Sequence, residues 1–235
     1  ETTDGSQVRF DGTNPTLTSV VFLSTNELEN DLAIIGDTLV LDFNTDEDLY
    51  SSEVTIAGFI ADTTYENPAR IPYRSMRLMN GEEEEGYIPF MIVYTDLVGN
   101  IGDTIEATTD ASSVLFDMTP PTDFVLGEVL SKEGTEVDGY WNSSNQSLML
   151  IVPVDNDETL VDGGIQIKTK FGENISIITD TILIEQVDLG TEKNVIIPDE
   201  NFESSTGFLE GENATFEALI WDKAGNVTAG TASMS

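Results

Sequence analysis

Val8-Arg9-Phe10-Asp11-Gly12-Thr13-Asn14-Pro15-Thr16 returns later in the chain as Val114-Leu115-Phe116-Asp117-Met118-Thr119-Pro120-Pro121-Thr122. The two aspartates lie 106 residues apart, which is one domain length and far longer than the unit of a solenoid. An apolar strand ending in Phe-Asp, followed by a proline-stiffened link and another strand, predicts domains in tandem. The first copy matches the end of a repeat. Residues 1–11 therefore read as the last strand of a preceding repeat, 12–118 as a first domain and 119–235 as a second.

With 235 residues, 39% of them hydrophobic, the chain can bury two cores of ordinary size. It carries 44 acidic and 9 basic residues, for a net charge of −35. The excess is shared, with 20 acidic and 3 basic residues in 12–118 and 21 and 5 in 119–235. A surface acidic throughout repels nucleic acid and anionic membranes and attracts cations, so divalent ions are the expected partners and nucleic acid is not. The absence of cysteine removes disulfides and zinc-thiolate sites, and the absence of histidine removes serine–histidine catalysis and the commonest transition-metal ligand. No apolar run approaches the roughly 18 residues of a membrane span, so membrane insertion is not expected. Paired carboxylates occur, but no aromatic-rich cleft accompanies any pair as glycoside hydrolysis would require. The expectation is a non-enzyme.

Short apolar or alternating runs separated by Gly, Asn, Asp and Pro fill both halves, and no stretch keeps helical periodicity over three turns. The runs are Leu17–Leu23, Thr38–Phe43, Val54–Ile60, Arg74–Met79, Tyr87–Thr95 and Ser113–Phe116 in the first domain. In the second they are Phe124–Leu130, Ser147–Val154, Gly164–Lys170, Ile175–Ile178, Glu192–Ile197, Ala214–Trp221 and Asn226–Ser233. This is an all-β chain with the strand count of two tandem immunoglobulin-like β-sandwich domains. Alternation sends Leu39, Leu41 and Phe43 inward because Asp42 must stay wet, with Leu148, Leu150 and Val152 in the equivalent places. Aligning Asp96-Leu-Val-Gly-Asn100 with Asp222-Lys-Ala-Gly-Asn226 puts Phe90/Phe216, Ile92/Ala218 and Tyr94/Ile220 on one face and Met91/Glu217 on the other. Trp221 then lies on the outer face, as a lid over the sandwich edge.

Several of these motifs together resemble the bacterial Ig-like repeats of giant surface proteins and adhesins. In the first domain they are Gly36-Asp-Thr-Leu-Val-Leu-Asp-Phe43, Val54-Thr-Ile-Ala-Gly58, Tyr94-Thr-Asp-Leu-Val-Gly-Asn100 and Ser113–Thr122. In the second they are Tyr140-Trp-Asn-Ser-Ser-Asn145, Val152-Pro-Val-Asp-Asn-Asp157, Gly163-Gly164, Asp188-Leu-Gly-Thr191 and Ile220–Ser233, a sister subtype. The resemblance implies an extracellular or cell-surface spacer that neighbours other Ig-like repeats, is monomeric, and presents a distal module for a glycan or protein ligand. The other reading is a sandwich that binds glycan or protein itself. The resemblance also implies calcium at domain junctions. This chain departs from a uniform link, since Asn14 stands where the second link has Pro120 and Gly12 where it has Met118.

The candidate calcium ligands follow from oxygen chemistry, because a hard cation takes six to eight oxygens from carboxylates, carbonyls and amides. Asp96 with Asn100, and Asp222 with Asn226, stand in Asp-x-x-Gly-Asn turns. Those turns also close with no ligand, the Asp accepting N–H bonds and the Gly supplying positive φ. Asp46 and Asp48 stand on one acidic loop and Asp155 and Asp157 on its counterpart, while Asp11 and Asp117 flank the two links. Arg70, Arg74 and Arg77 face the run Glu82–Glu85 and read as a surface ion-pair network.

Overall fold

A computed structural model describes residues 4, 7–65 and 72–233. The chain divides into two units, Glu1–Met118 and Thr119–Ser235, each around its own hydrophobic cluster. Unit 1 contains β1 (Leu17–Ser24), β2 (Leu32–Ala33), β3 (Thr38–Thr45), β4 (Leu49–Ile56) and β5 (Phe59–Ile60). It continues with β6 (Thr63–Tyr65), β7 (Tyr73–Leu78), β8 (Gly86–Tyr87), β9 (Phe90–Asp96) and β10 (Leu115–Phe116). Its sheets are β1-β3-β7-β6 and β5-β4-β9, with a small third sheet, β2-β10-β8. Unit 2 contains β11 (Val129–Lys132), β12 (Ser147–Val154), β13 (Gly164–Phe171), β14 (Asn174–Ile177), β15 (Ile182–Leu183), β16 (Thr191–Pro198), α1 (Asp199–Glu203), β17 (Ala214–Trp221) and β18 (Val227–Ser233). Its sheets are β11-β12-β16 and β14-β13-β17-β18, with β15 added on β13.

In both units two strands pair in one sheet, the chain crosses to the other, returns, and crosses back. That path is the Greek key of an immunoglobulin-like sandwich. The alternation expected from sequence holds along the strands: Leu39, Leu41, Phe43, Leu148, Leu150 and Val152 are fully buried. Phe90, Ile92, Tyr94, Phe216, Ala218 and Ile220 are also buried, while Met91 and Glu217 face partly outward. The paired glycines 163 and 164 are explained by close approach at the β17 end. A Cβ on Gly163 would sit 2.2 Å from the Trp221 carbonyl oxygen, and one on Gly164 2.4 Å from the Trp221 ring. Trp221 therefore lies across β13 as a lid.

Three differences from the sequence reading have local causes. The run Val54–Ile60 is two strands, because Ala57 (φ 55°) and Gly58 (φ 79°) make a tight turn whose paired positive φ matches the strand twist. Tyr87–Thr95 breaks before Phe90 at Pro89, which has no N–H for a ladder. The charged run of unit 1 forms one ion pair at the surface and one that is buried. Arg74 forks onto Asp42 across β3 and β7 (2.7 Å to each oxygen). Arg77 pairs with Glu83 at 2.6 Å with side-chain exposures of only 8% and 0%, and its guanidinium lies 4.1 Å from the Phe59 ring centroid. Burial alone would raise the Glu83 pKa, but N–H donors of its own loop and Arg77 together hold it below the usual glutamate range. Arg70 lies outside the described residues.

Each sandwich has an entry pole, where the preceding link meets the first inter-sheet connection and the Asp-x-x-Gly-Asn turn, and an exit pole at the other end. Unit 1 closes its exit pole with β10, inserted parallel to β2 and antiparallel to β8. Unit 2 has a helix there: Phe202 of α1 is buried among Trp141, Phe171, Phe208 and Phe216, with ring centroids 5.2–5.8 Å away. A helix of five residues shows no period in the sequence.

Candidate cation site

At the entry pole of unit 1, β3 and β4 are joined by only three residues, Asp46, Glu47 and Asp48. Asp46 faces the link, accepting from Thr16 N and Thr16 Oγ1, each at 2.8 Å, and returning its own N–H to the Thr16 carbonyl. These bonds hold its carboxyl below the ordinary range. Asp48 is exposed. Glu47, between them, is half-buried and belongs to a group of three carboxylates with Asp11 and Asp96, whose ligand oxygens all lie within 4.8 Å of one another. Burial first, then the charges of Asp11, Asp96, Asp46 and Asp48, raises the Glu47 pKa.

Asp96 ends β9 and is buried. Oδ1 accepts from Val98 N (2.9 Å) and Asn100 N (2.8 Å), and Oδ2 accepts from Asn100 Nδ2 (2.7 Å). Burial would raise its pKa, but the Asn100 and loop donors outweigh it, so the carboxyl stays ionised to lower pH than an ordinary aspartate. Asn100 Nδ2 also reaches the Asp11 carbonyl at 3.4 Å, and Thr13 N donates to Asp11 Oδ1 at 3.2 Å. Asn100 thus acts as a donor that sets the Asp96 carboxylate and touches the link. The arrangement concentrates negative charge from a link, a connection and a hairpin in one place, which is what a hard divalent cation requires.

The other predicted ligands are placed differently. Asp117 follows β10 at the exit pole of unit 1, its N–H bonded to the Ala33 carbonyl. In unit 2, Asp155 accepts from Thr122 Oγ1 (2.7 Å) and Asn156 N (2.7 Å), which lowers its pKa. Asp157 caps the 3-10 turn Glu158–Leu160 through Thr159 N and Oγ1. Asp222 is fully buried, with Gly225 N (2.7 Å), Asn226 N (2.9 Å) and Asn226 Nδ2 (3.0 Å) on its two oxygens. Burial raises its pKa against those donors. Among the described residues Asp11, Glu47 and Asp96 form a group of three carboxylates, and Asp155, Asp157 and Asp222 do not.

No family model matches the chain, and no curated protein matches it. Among solved structures, the FN1–FN3 domains of chicken CNTN1 align over 99% of this chain and 74% of theirs, at 11% identity and a TM-score of 0.37. Dimeric latent PorU from Porphyromonas gingivalis aligns over 94% of this chain and 20% of its own, at 9% identity and a TM-score of 0.28. Among the described residues no helix is long and apolar enough to cross a membrane.

Proposed function

We propose that the chain is a non-catalytic extracellular spacer of tandem Ig-like sandwiches, of the kind that large bacterial surface proteins use as stalks, and that calcium at Asp11, Glu47 and Asp96 fastens the link to unit 1. The observation that carries the reading is the convergence of a link residue with two loop residues distant in sequence. The donor set is wholly oxygen and wholly anionic, which suits calcium and not a soft metal. Burial and, after it, the charges of Asp11, Asp96, Asp46 and Asp48 raise the Glu47 pKa, and a bound divalent ion would relieve the repulsive part locally. Asp11, Glu47 and Asp96 would hold the ion, with Asn100 keeping Asp96 oriented. Bound there, the ion supplies charge and a bridge between link and sandwich. Adjacent repeats are the expected partners, with any ligand bound by a distal module.

The reading is tested by melting the chain with millimolar calcium, with magnesium and with neither. Calcium should raise the unit 1 midpoint, through a stabilisation of about 2.7 kcal/mol at a hundredfold excess over Kd, and Asp11→Asn or Glu47→Gln should remove the rise. A second readout is tryptic cleavage after Arg9, two residues from Asp11, which calcium should slow. An unchanged midpoint together with unchanged cleavage would sink the metal claim.

A further inference from the structure

The Val-x-Phe-Asp motif occurs twice, with opposite burial. In unit 1, Val114 and Phe116 are 0% and 1% exposed. Their strand is held by Leu115 N to the Asp31 carbonyl (2.9 Å), Asp117 N to the Ala33 carbonyl (2.9 Å) and Ile88 N to the Val114 carbonyl (2.9 Å). Val8 and Phe10, at the same two positions of the motif, are 98% and 90% exposed. The parity is identical, with Arg9 where Leu115 turns half outward and Asp11 where Asp117 follows the strand. Two large apolar side chains with strand spacing in water, on a segment whose copy is fully buried, mark a surface made to be covered. The kind of partner is also constrained. A slot for such a strand needs a two-residue parallel strand on one side and an antiparallel one on the other, as β2 and β8 provide. In unit 2, among the described residues, α1 and its aromatic neighbours pack at that pole in place of such a strand.

From this we infer that Val8–Asp11 is the closing strand for a neighbouring sandwich built like unit 1 and not like unit 2. Val8 and Phe10 enter its β2/β8-type slot as Val114 and Phe116 do. The inference rests on the tandem-repeat reading and refines it by naming the subtype of the neighbour. It also places the seated Phe10 directly beside Asp11, so that one short link would join the closing strand of one repeat to the cation site of the next.

The unit 1 slot tests this in trans with the full chain, in calcium-free buffer so that the outcome is independent of the cation. Phe116→Ala removes the buried ring that anchors the resident strand and so weakens its hold on the slot. A labelled peptide of residues 7–13 should bind this variant about tenfold or more tighter than the same peptide carrying Val8→Asp and Phe10→Asp. It should bind the unaltered chain, whose slot is filled, at least as much more weakly. Independently, Val114→Asp with Phe116→Asp expels the resident strand. That chain should form concentration-dependent dimers through Val8 and Phe10 of a second copy, and adding Val8→Asp and Phe10→Asp should return it to monomer. A peptide that does not discriminate, together with association that ignores Val8 and Phe10, overturns the inference. A calcium-dependent midpoint that survives such a result would leave the proposed function standing.

Discussion

The two entry poles begin from the same motif and end differently. Both use Asp-x-x-Gly-Asn in the same way, with Asp96 and Asp222 each accepting the N–H groups of their own turn. Both tie the incoming link to the first carboxylate of the inter-sheet connection, Thr16 to Asp46 and Thr122 to Asp155. The connection itself separates them. Three residues join β3 to β4, and the middle one, Glu47, is held against Asp11 and Asp96. Nine residues join β12 to β13, and there Asn156 stands at the Glu47 position while Asp157 caps a 3-10 turn whose Thr159 carbonyl accepts from Lys223 N. The turn motif is thus structural in both units, and connection length decides whether carboxylates gather. In the longer connection Asp155 and Asp157 are held by hydrogen bonds from Thr122, Asn156 and Thr159.

The largest effects should come from the two exit poles, where a strand and a helix do one task. Phe116→Ala and Phe202→Ala should each cost about 3–5 kcal/mol, read by denaturant unfolding, with hydrogen exchange showing the loss confined to the altered unit. A loss spread over both units would break the account of two separate cores. Next comes the turn aspartate. Asp222→Ala leaves the Gly225 and Asn226 donors of a closed turn without their acceptor and should cost about 3 kcal/mol. Asp96→Ala should destabilise unit 1 in the same direction and also abolish its calcium response. If Asp222→Ala removed a calcium response as well, the distinction between the poles would fail.

Much of this was legible in residue order. Asp42 fixed the parity of β3, and the matched Asp-x-x-Gly-Asn turns fixed that of β9 and β17. Position 47 was not legible, because the run Asn44-Thr45-Asp46-Glu47-Asp48 is polar throughout and offers no alternation to say which carboxylate turns inward. The burial of the ion pair Arg77–Glu83 was hidden for a related reason: a run of four glutamates reads as solvated, and only the fold shows that one of them meets Arg77 out of water. The helix of unit 2 escaped because Asp-Glu-Asn-Phe-Glu carries one apolar residue and hence no period.

The connection can be exchanged to sharpen the comparison. Glu47→Asn gives unit 1 the unit 2 residue and should erase the calcium-induced rise, worth about 2.7 kcal/mol at a hundredfold excess. Asn156→Glu should confer none on unit 2, since Asp157 remains engaged by Thr159. Calcium stabilisation of the Asn156→Glu chain beyond that of the parent, seen by melting, would show that residue type and not connection length sets the site.

The smallest effect isolates a carboxylate that unit 2 has satisfied within the protein. Asp188 is only 13% exposed at its side chain and pairs with Lys193. Burial would raise its pKa, but the Lys193 hydrogen bond, the Glu185 N–H and the Lys193 charge together hold it below the usual aspartate range. A folded pKa below the unfolded one means that the unfolded chain takes up the proton first as pH falls. The stabilisation is therefore fully present above the ordinary aspartate value of about 3.9 and is lost as pH falls through the folded pKa. Asp188→Asn should cost about 1 kcal/mol at neutral pH, and the gap from the parent should close in strong acid when both are unfolded by urea across a pH series. A gap that stays constant to low pH would assign the loss to packing and not to the ion pair.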